Sequence, residues 1–257
     1  MAKWNKFPRD QKAIMYAGEA LKKNWNTLHQ GDNEPFPKEA GLQEAWRQYH
    51  AGNFAEAVTH GTLGKGTVVA AKATSIYATY LEKKDAVRVK LFQEAMEMAD
   101  GLRNEDKKNI NAHYQYAYAA GRYAQSISII KALKEGFGSK IKLALETVLK
   151  LDPKHAEANT AMGAYHAEII DKVGGMVGKL TYGASKDAAV EHFEKALKLT
   201  PHSPIAHIEY ANGLLLLFGD KEMDKATKLY EKAAKMKGHD AMEMLDIEMA
   251  KEELEDE

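Results

Sequence analysis

A short glycine-rich stretch is the part of the sequence that comes closest to a nucleotide-binding motif. It reads Gly174-Gly175-x2-Gly178-Lys179. A phosphate-binding loop requires the spacing GxxxxGK followed by Ser or Thr, and a preceding strand that directs its backbone amides at the phosphate. Here Leu180 follows the lysine, and no strand is predicted before the glycines. We therefore expect no nucleotide cofactor at this position.

His166 and Glu168 have the H-x-E spacing of the zinc deaminases. That chemistry also needs a pair of cysteines as metal ligands, and the sequence contains none. On a helix, two residues that are two apart point in directions about 200° apart, so these side chains cannot share one metal ion. The other histidines form no H-E-x2-H pattern. We predict no catalytic residue, no metal site and no cofactor, and hence a protein that is not an enzyme.

The charge balance argues against nucleic acid as a partner. The formal net charge is −1, so no overall positive field would hold the protein on a polyanion. Residues 240–257 contain nine acidic residues and one lysine, which is typical of a solvated helix face or a frayed tail. No apolar stretch approaches the roughly 18 residues that span a bilayer, and the N-terminus lacks the apolar core of a signal peptide. We expect a cytoplasmic protein without a membrane span, unless a leader has been removed.

Three segments repeat one spacing of apolar residues. In the clearest of them an alanine, an aromatic residue, a second alanine and a proline follow one another as Ala-x3-Phe-x2-Ala-x4-Pro. The positions that share the spacing are Ala189, Phe193, Ala196 and Pro201; Ile141, Leu145, Val148 and Pro153; and Ala226, Tyr230 and Ala233. The segment before each carries a large residue beside a small one, as in Met162-Gly163, and the small residue lets two helices approach closely.

These segments resemble the second helices of tetratricopeptide repeats. The resemblance implies an all-α fold in which antiparallel helix pairs stack into a right-handed solenoid with a concave groove. We expect one such domain over residues 1–257. Its elements are an N-terminal helix at about 10–30, helix pairs at about 40–62, 68–98, 107–151, 154–199 and 204–237, and an acidic capping helix at about 239–257.

One repeat is longer than the others. Pro153 and Pro201 are 48 residues apart, where a plain repeat of about 34 residues would bring them closer. The extra residues lie at 171–186, between the two helices of this repeat. Residues 164–201 resemble the long-helix repeat of the regulator of microtubule dynamics family and its bacterial relatives. We do not take this resemblance to imply microtubule binding.

The repeat register predicts which side chains line the concave groove. Aromatic and arginine side chains offer large contact area and directional hydrogen bonds, which suits them to recognition. The predicted groove-binding residues are Trp46, Tyr49, Tyr114, Tyr118, Arg122, Thr160, Glu168, Ile208 and Asn212. For Tyr114 and Tyr118, an equally weighted interpretation is that they pack beneath the insertion as core residues.

Two functions fit these observations. In the first, the protein is a scaffold whose groove holds a segment of a protein or peptide partner. In the second, it is a small-ligand-binding helical protein, in which the insertion at 171–186 folds over the groove as a lid. The apolar residues Met176, Val177 and Leu180 favour a packed insertion. The shape of the pocket would separate the two functions.

Overall fold

Helices account for all the regular secondary structure in residues 4–255, which the computed structural model describes. The α-helices are α1 (Ala20–Leu28), α2 (Ala40–His50), α3 (Phe54–Leu63), α4 (Thr67–Tyr80), α5 (Asp85–Glu105), α6 (Ile110–Ile127), α7 (Ile129–Lys134), α8 (Phe137–Leu151), α9 (Ala156–Val173), α10 (Gly175–Val177), α11 (Lys186–Leu199), α12 (Pro204–Phe218), α13 (Met223–Ala234) and α14 (Ala241–Glu255). Short 3-10 turns lie at Lys12–Ile14 and Gly219–Glu222, and a π-helical turn at Gly178–Tyr182. The prediction of an all-α fold is confirmed.

Several helices begin at a residue whose side chain accepts a hydrogen bond from the first turn. Asn109 caps α6 and Ser185 caps α11, at 2.9 and 3.1 Å from the backbone nitrogens that donate to them. Ser203 caps α12, which continues with Pro204 in the first turn. Each cap satisfies a backbone N–H that has no partner within its helix. Local sequence therefore determines where these helices start.

The N-terminal region contains less helix than the helix predicted at about 10–30. Between the 3-10 turn and α1, Tyr16 has a φ of +44° and Gly18 a φ of +56°. Both values lie in the left-handed region, which a right-handed helix cannot contain. The regular helix consequently begins at Ala20.

Residues 4–29, 33–151 and 239–242 form one compact unit. Within it each helix from α2 to α5 packs on the next along the chain, and α6 packs on α8. Every residue of α4 from Val68 to Ala78 is buried, so this helix is surrounded on all sides. The alanines of α4, such as Ala71 and Ala73, let neighbouring helices approach it closely.

Residues 30–32, 152–238 and 243–255 form the second unit. In it α9 packs on α11 and α12, and α12 packs on α13. The fully buried ring of Phe193 on α11 lies against Gly163 of α9 and Gly213 of α12. A Cβ atom at Gly163 would come within 2.8 Å of that ring. The small residue of the Met162-Gly163 pair is therefore a close-approach position, as its sequence context predicts.

The glycine-rich insertion forms short helical turns that pack back against the end of α9, where Gly178 is buried beside Ile169 and Ile170. Gly174, with a φ of +80°, ends α9, and Gly183, with a φ of +65°, ends the π-helical turn. Between them Met176 and Leu180 are 79% and 81% exposed. Among the described residues, no helix is both long and apolar enough to cross a membrane.

Candidate interaction face

One group of predicted groove residues lies along one side of α6. Tyr114, Tyr118 and Arg122 follow each other at intervals of four residues, so they lie one above the other on the helix. The rings of Tyr114 and Tyr118 are 6.3 Å apart, and the guanidinium of Arg122 lies 5.3 Å from the Tyr118 ring. Tyr114 is buried, whereas Tyr118 and Arg122 are half-buried. This row of three side chains thus runs from the core toward the surface.

Helix α4 contributes Thr79 to the same group. The Thr79 hydroxyl is 2.8 Å from the carbonyl oxygen of Ser75 and 3.3 Å from the hydroxyl of Tyr118. Because threonine has only one hydroxyl proton, which it donates to Ser75, Tyr118 donates the second hydrogen bond to Thr79. This bond, long at 3.3 Å, orients the Tyr118 hydroxyl and leaves its oxygen able to accept from a partner. We call Thr79, Tyr114, Tyr118 and Arg122 the α6 face.

Trp46 and Tyr49, also predicted to line the groove, lie in the core of the same unit. They are 3% and 1% exposed. The Trp46 ring packs edge-on against Trp25 at 5.8 Å and against His29 at 4.6 Å. The Tyr49 hydroxyl lies 3.2 Å from the sulfur of Met242. The aromatic surface of Trp46 packs α2 on α1, and that of Tyr49 packs on Phe54 at the start of α3. Their role in binding stays a prediction.

The remaining predicted residues lie in the second unit. Thr160 is buried, and its hydroxyl donates to the carbonyl oxygen of Ala156 at 3.2 Å. Ile208 is 1% exposed and belongs to a core cluster that includes Tyr230. Asn212 is half-buried and accepts a hydrogen bond from the Tyr230 hydroxyl, while Glu168 is half-buried on α9. The α6 face is therefore the group in which several predicted side chains contact one another near the surface.

A protein-family model described as Regulator of microtubule dynamics protein 1-3 matches residues 67–256. The chain belongs to the regulator of microtubule dynamics family. The match begins at the first residue of α4 and includes the whole α6 face and the glycine-rich insertion. It confirms the resemblance noted for residues 164–201 and extends it over most of the chain. No curated protein matches the chain.

Sequence reasoning missed a buried polar cluster in this regulator of microtubule dynamics family member. Nδ1 of His50 lies 2.9 Å from a carboxylate oxygen of Asp240, and its Nε2 lies 3.2 Å from Nε2 of His29. The three residues are at most 4% exposed. The Tyr16 hydroxyl also donates to the carbonyl oxygen of His239 at 2.6 Å. Together these bonds attach residues 239–242 to the N-terminal region.

No sequence signal could have revealed this cluster. Its members are 21 and 190 residues apart, and neither separation belongs to a helical period or a known motif. Because the side chains are enclosed, a substrate cannot reach the imidazoles in this conformation, although a catalytic base must lie within hydrogen-bond reach of the proton it removes. We interpret the cluster as a structural latch.

His166, the histidine of the H-x-E pattern, is also buried and packs against another histidine ring. It is 5% exposed, and its ring lies 5.9 Å from that of His192. Burial lowers the pKa of His192, whose Nδ1 lies 3.1 Å from the side-chain oxygen of Asn159. Within residues 4–255, no group of three or more His, Asp or Glu side chains is arranged to hold a metal ion.

Proposed function

We propose that this regulator of microtubule dynamics family protein is a non-enzymatic binding protein, which holds a segment of a protein partner against the α6 face. The observation that carries the proposal is the half-buried Tyr118 side chain, whose hydroxyl contacts Thr79 and whose ring lies 5.3 Å from the Arg122 guanidinium. Family membership supports a protein partner, because the family is described by an effect on microtubule dynamics.

The chemistry of the α6 face suits recognition of a peptide segment. Tyrosine and arginine dominate binding energy at protein interfaces, because they combine apolar area with hydrogen-bonding groups. The bond from Tyr118 to Thr79 restricts the ring before a partner arrives, so less conformational entropy is lost on binding. The Arg122 guanidinium adds a positive charge, which favours a partner segment with a carboxylate or carbonyl oxygen facing it.

We further propose that the helices form a tetratricopeptide-like right-handed superhelix, with the α6 face on its concave side. Two observations support this arrangement. Successive helices pack on their neighbours in both units, and Phe193 fits against Gly163 and Gly213 as the large residue of the repeat pattern requires. That all helices form one continuous array stays a prediction.

The small-ligand function is our second candidate, and the insertion argues against it. A lid would bury its apolar residues over the ligand. Met176, Val177 and Leu180 are instead exposed, at 79%, 47% and 81%. In this conformation the insertion therefore does not bring its apolar side chains over a groove, and the peptide-binding function is favoured.

Affinity capture with matched variants tests the proposal. We expect Tyr118→Ala combined with Arg122→Ala to reduce the amount of captured partner at least tenfold, since two interface residues of this kind contribute more than about 1.4 kcal/mol together. Tyr123→Ala is the control, because Tyr123 is also half-buried on α6 but packs against Phe137 at 5.3 Å. Equal capture by the wild type and the double variant, with both folded, would refute the site.

Native mass spectrometry of the purified wild-type protein separates the two candidate functions. We expect the measured mass to equal that of the chain alone, with no small molecule bound. A co-purified small molecule that is lost from Tyr118→Ala would replace the peptide-binding function with the ligand-binding one.

A further inference from the structure

The N-terminal arm, residues 4–11, contacts the first unit in the manner of a bound peptide. It forms no helix, and it precedes the 3-10 turn at Lys12–Ile14. A few of its side chains contact the rest of the unit, and the chain bends at Pro8 and Arg9. The arm lies outside the family match, which begins at residue 67.

The first anchor of the arm is Trp4. Its indole stacks on the ring of Tyr77 on α4, with centroids 4.0 Å apart and planes 14° from parallel. The backbone N–H of Asn5 donates to the Tyr77 hydroxyl at 3.0 Å, and the Asn5 side-chain amide donates to the carbonyl oxygen of Leu81 at 2.8 Å. Leu81 follows the last residue of α4, where backbone carbonyls have no partner within the helix. The arm therefore supplies a donor that this helix end needs.

The second anchor is Phe7, which is 8% exposed. It lies against Gly52 in the turn between α2 and α3. Gly52 has a φ of +81°, and a Cβ atom there would come within 2.6 Å of the Phe7 ring. Only glycine leaves this space open. Gln11 follows, and its side-chain amide donates to the carbonyl oxygen of Ala51 at 2.7 Å and to the side-chain oxygen of Asn53 at 2.9 Å.

The residues between Trp4, Phe7 and Gln11 are exposed. They are Asn5, Lys6, Pro8, Arg9 and Asp10. A core segment would bury a continuous face, whereas the arm is held at separate points on a surface that the remaining chain provides. This pattern is typical of a peptide that binds by two aromatic anchors and hydrogen bonds to the backbone.

We infer that the surface formed by Gly52, Asn53, Tyr77 and Leu81 is a peptide-docking site, which the chain's own arm occupies and from which it can be displaced. The site fits a non-helical segment with aromatic residues three positions apart and an amide side chain after the first, as in Trp4-Asn5-x-Phe7. A partner segment of this chemistry would compete with the arm. The docking site is distinct from the α6 face, because Tyr77 and Thr79 are two residues apart on α4 and point in directions about 200° apart.

A free peptide must compete with an arm that is covalently attached to the docking site's own chain. A segment tethered by a short linker has an effective concentration of about millimolar. A free peptide of the same sequence will therefore bind weakly to the wild type, and weakening the arm will expose the site.

The test uses the full chain and a fluorescently labelled synthetic peptide with the sequence of residues 1–12. Its binding to the wild type, to Trp4→Ala with Phe7→Ala, and to Lys6→Ala is measured by fluorescence anisotropy. We expect the double variant to bind the peptide at least tenfold more tightly than the wild type does. Lys6→Ala, an exposed position in the arm, should behave like the wild type. A peptide with alanine at both aromatic positions should not bind the double variant.

Two results would overturn the inference. One is a folded double variant that binds the peptide no better than the wild type. The other is loss of cooperative thermal unfolding in the double variant, measured by circular dichroism, because that would make the arm a part of the core and not a displaceable segment. Retention of helical signal together with the gain in peptide affinity would establish the docking site.

Discussion

Replacing Gly213 by alanine places a methyl group where the ring of Phe193 now lies. An ideal Cβ at this position would be 2.7 Å from Cζ of the ring, and closer still to Cε2. The ring has little freedom to move away, because it is fully buried, stacks on Tyr210 at 5.2 Å and also contacts Gly163. The substitution must therefore push α11 and α12 apart or force Phe193 from its rotamer.

Two opposing effects determine how much Gly213→Ala changes the free energy of unfolding. An extra methyl group in a well-packed core costs about 1–3 kcal/mol. Exchanging glycine for alanine inside a helix contributes about 1 kcal/mol in the other direction. The new methyl group would lie so close to the ring that its packing cost should be in the upper part of this range. We therefore expect Gly213→Ala to destabilise the protein by about 1–2 kcal/mol in total. Gly163→Ala should cost less, since its Cβ would stay 2.8 Å from the ring.

Denaturant unfolding followed by far-ultraviolet circular dichroism measures these changes. Gly101→Ala is the control: this glycine lies within α5, and a Cβ there would meet nothing within 4 Å. It should stabilise the protein by about 0.5–1 kcal/mol. Phe193→Leu should make Gly213→Ala less costly than it is alone, since the two sites share one space. A Gly213→Ala variant as stable as Gly101→Ala would refute the close packing.

Three further changes follow from single contacts. Asn109→Ala removes the cap of α6 and should lower the free energy of unfolding by about 1 kcal/mol in the same assay. Asp240→Ala leaves Nδ1 of His50 without its acceptor, so we expect the free energy of unfolding to fall by about 1–3 kcal/mol. An unchanged free energy of unfolding would show that the latch is dispensable. Burial lowers the pKa of His207, so the unfolded chain binds the proton more readily, and stability should decrease as the pH falls below about 6.5. His207→Asn, which keeps a donor toward Ser203, should reduce that decrease between pH 7.5 and 5.5; an unchanged pH profile would contradict this role.

The all-helical fold could be predicted from the sequence because its cause is local and periodic. The spacing of Ala189, Phe193 and Ala196 places one apolar face on α11, and each of these three side chains is fully buried. Capping residues such as Ser185 and Ser203 mark helix starts for the same local reason. The departure from helix near Gly18 was harder to foresee, because it depends on how a few residues dock onto other elements.

The candidate site was only partly predictable. Helical period alone groups Tyr114, Tyr118 and Arg122 on one side of α6. The same reasoning says nothing about which other segment covers a given helix face. Trp46 is enclosed because α1 packs against it, and that contact depends on tertiary structure. The latch between His50 and Asp240 and the docking of the N-terminal arm depend in the same way on residues far apart in the chain.

Site-specific photocrosslinking tests the proposed function most directly. A benzophenone amino acid replaces Tyr118 in one variant and Tyr123 in another, and each is irradiated in cells that express the full chain. We predict covalent adducts with a protein partner from position 118 and none from position 123, because the two side chains lie on different sides of α6. Absence of adducts at position 118, or the same adducts at both positions, would contradict the assignment of the α6 face as the binding surface.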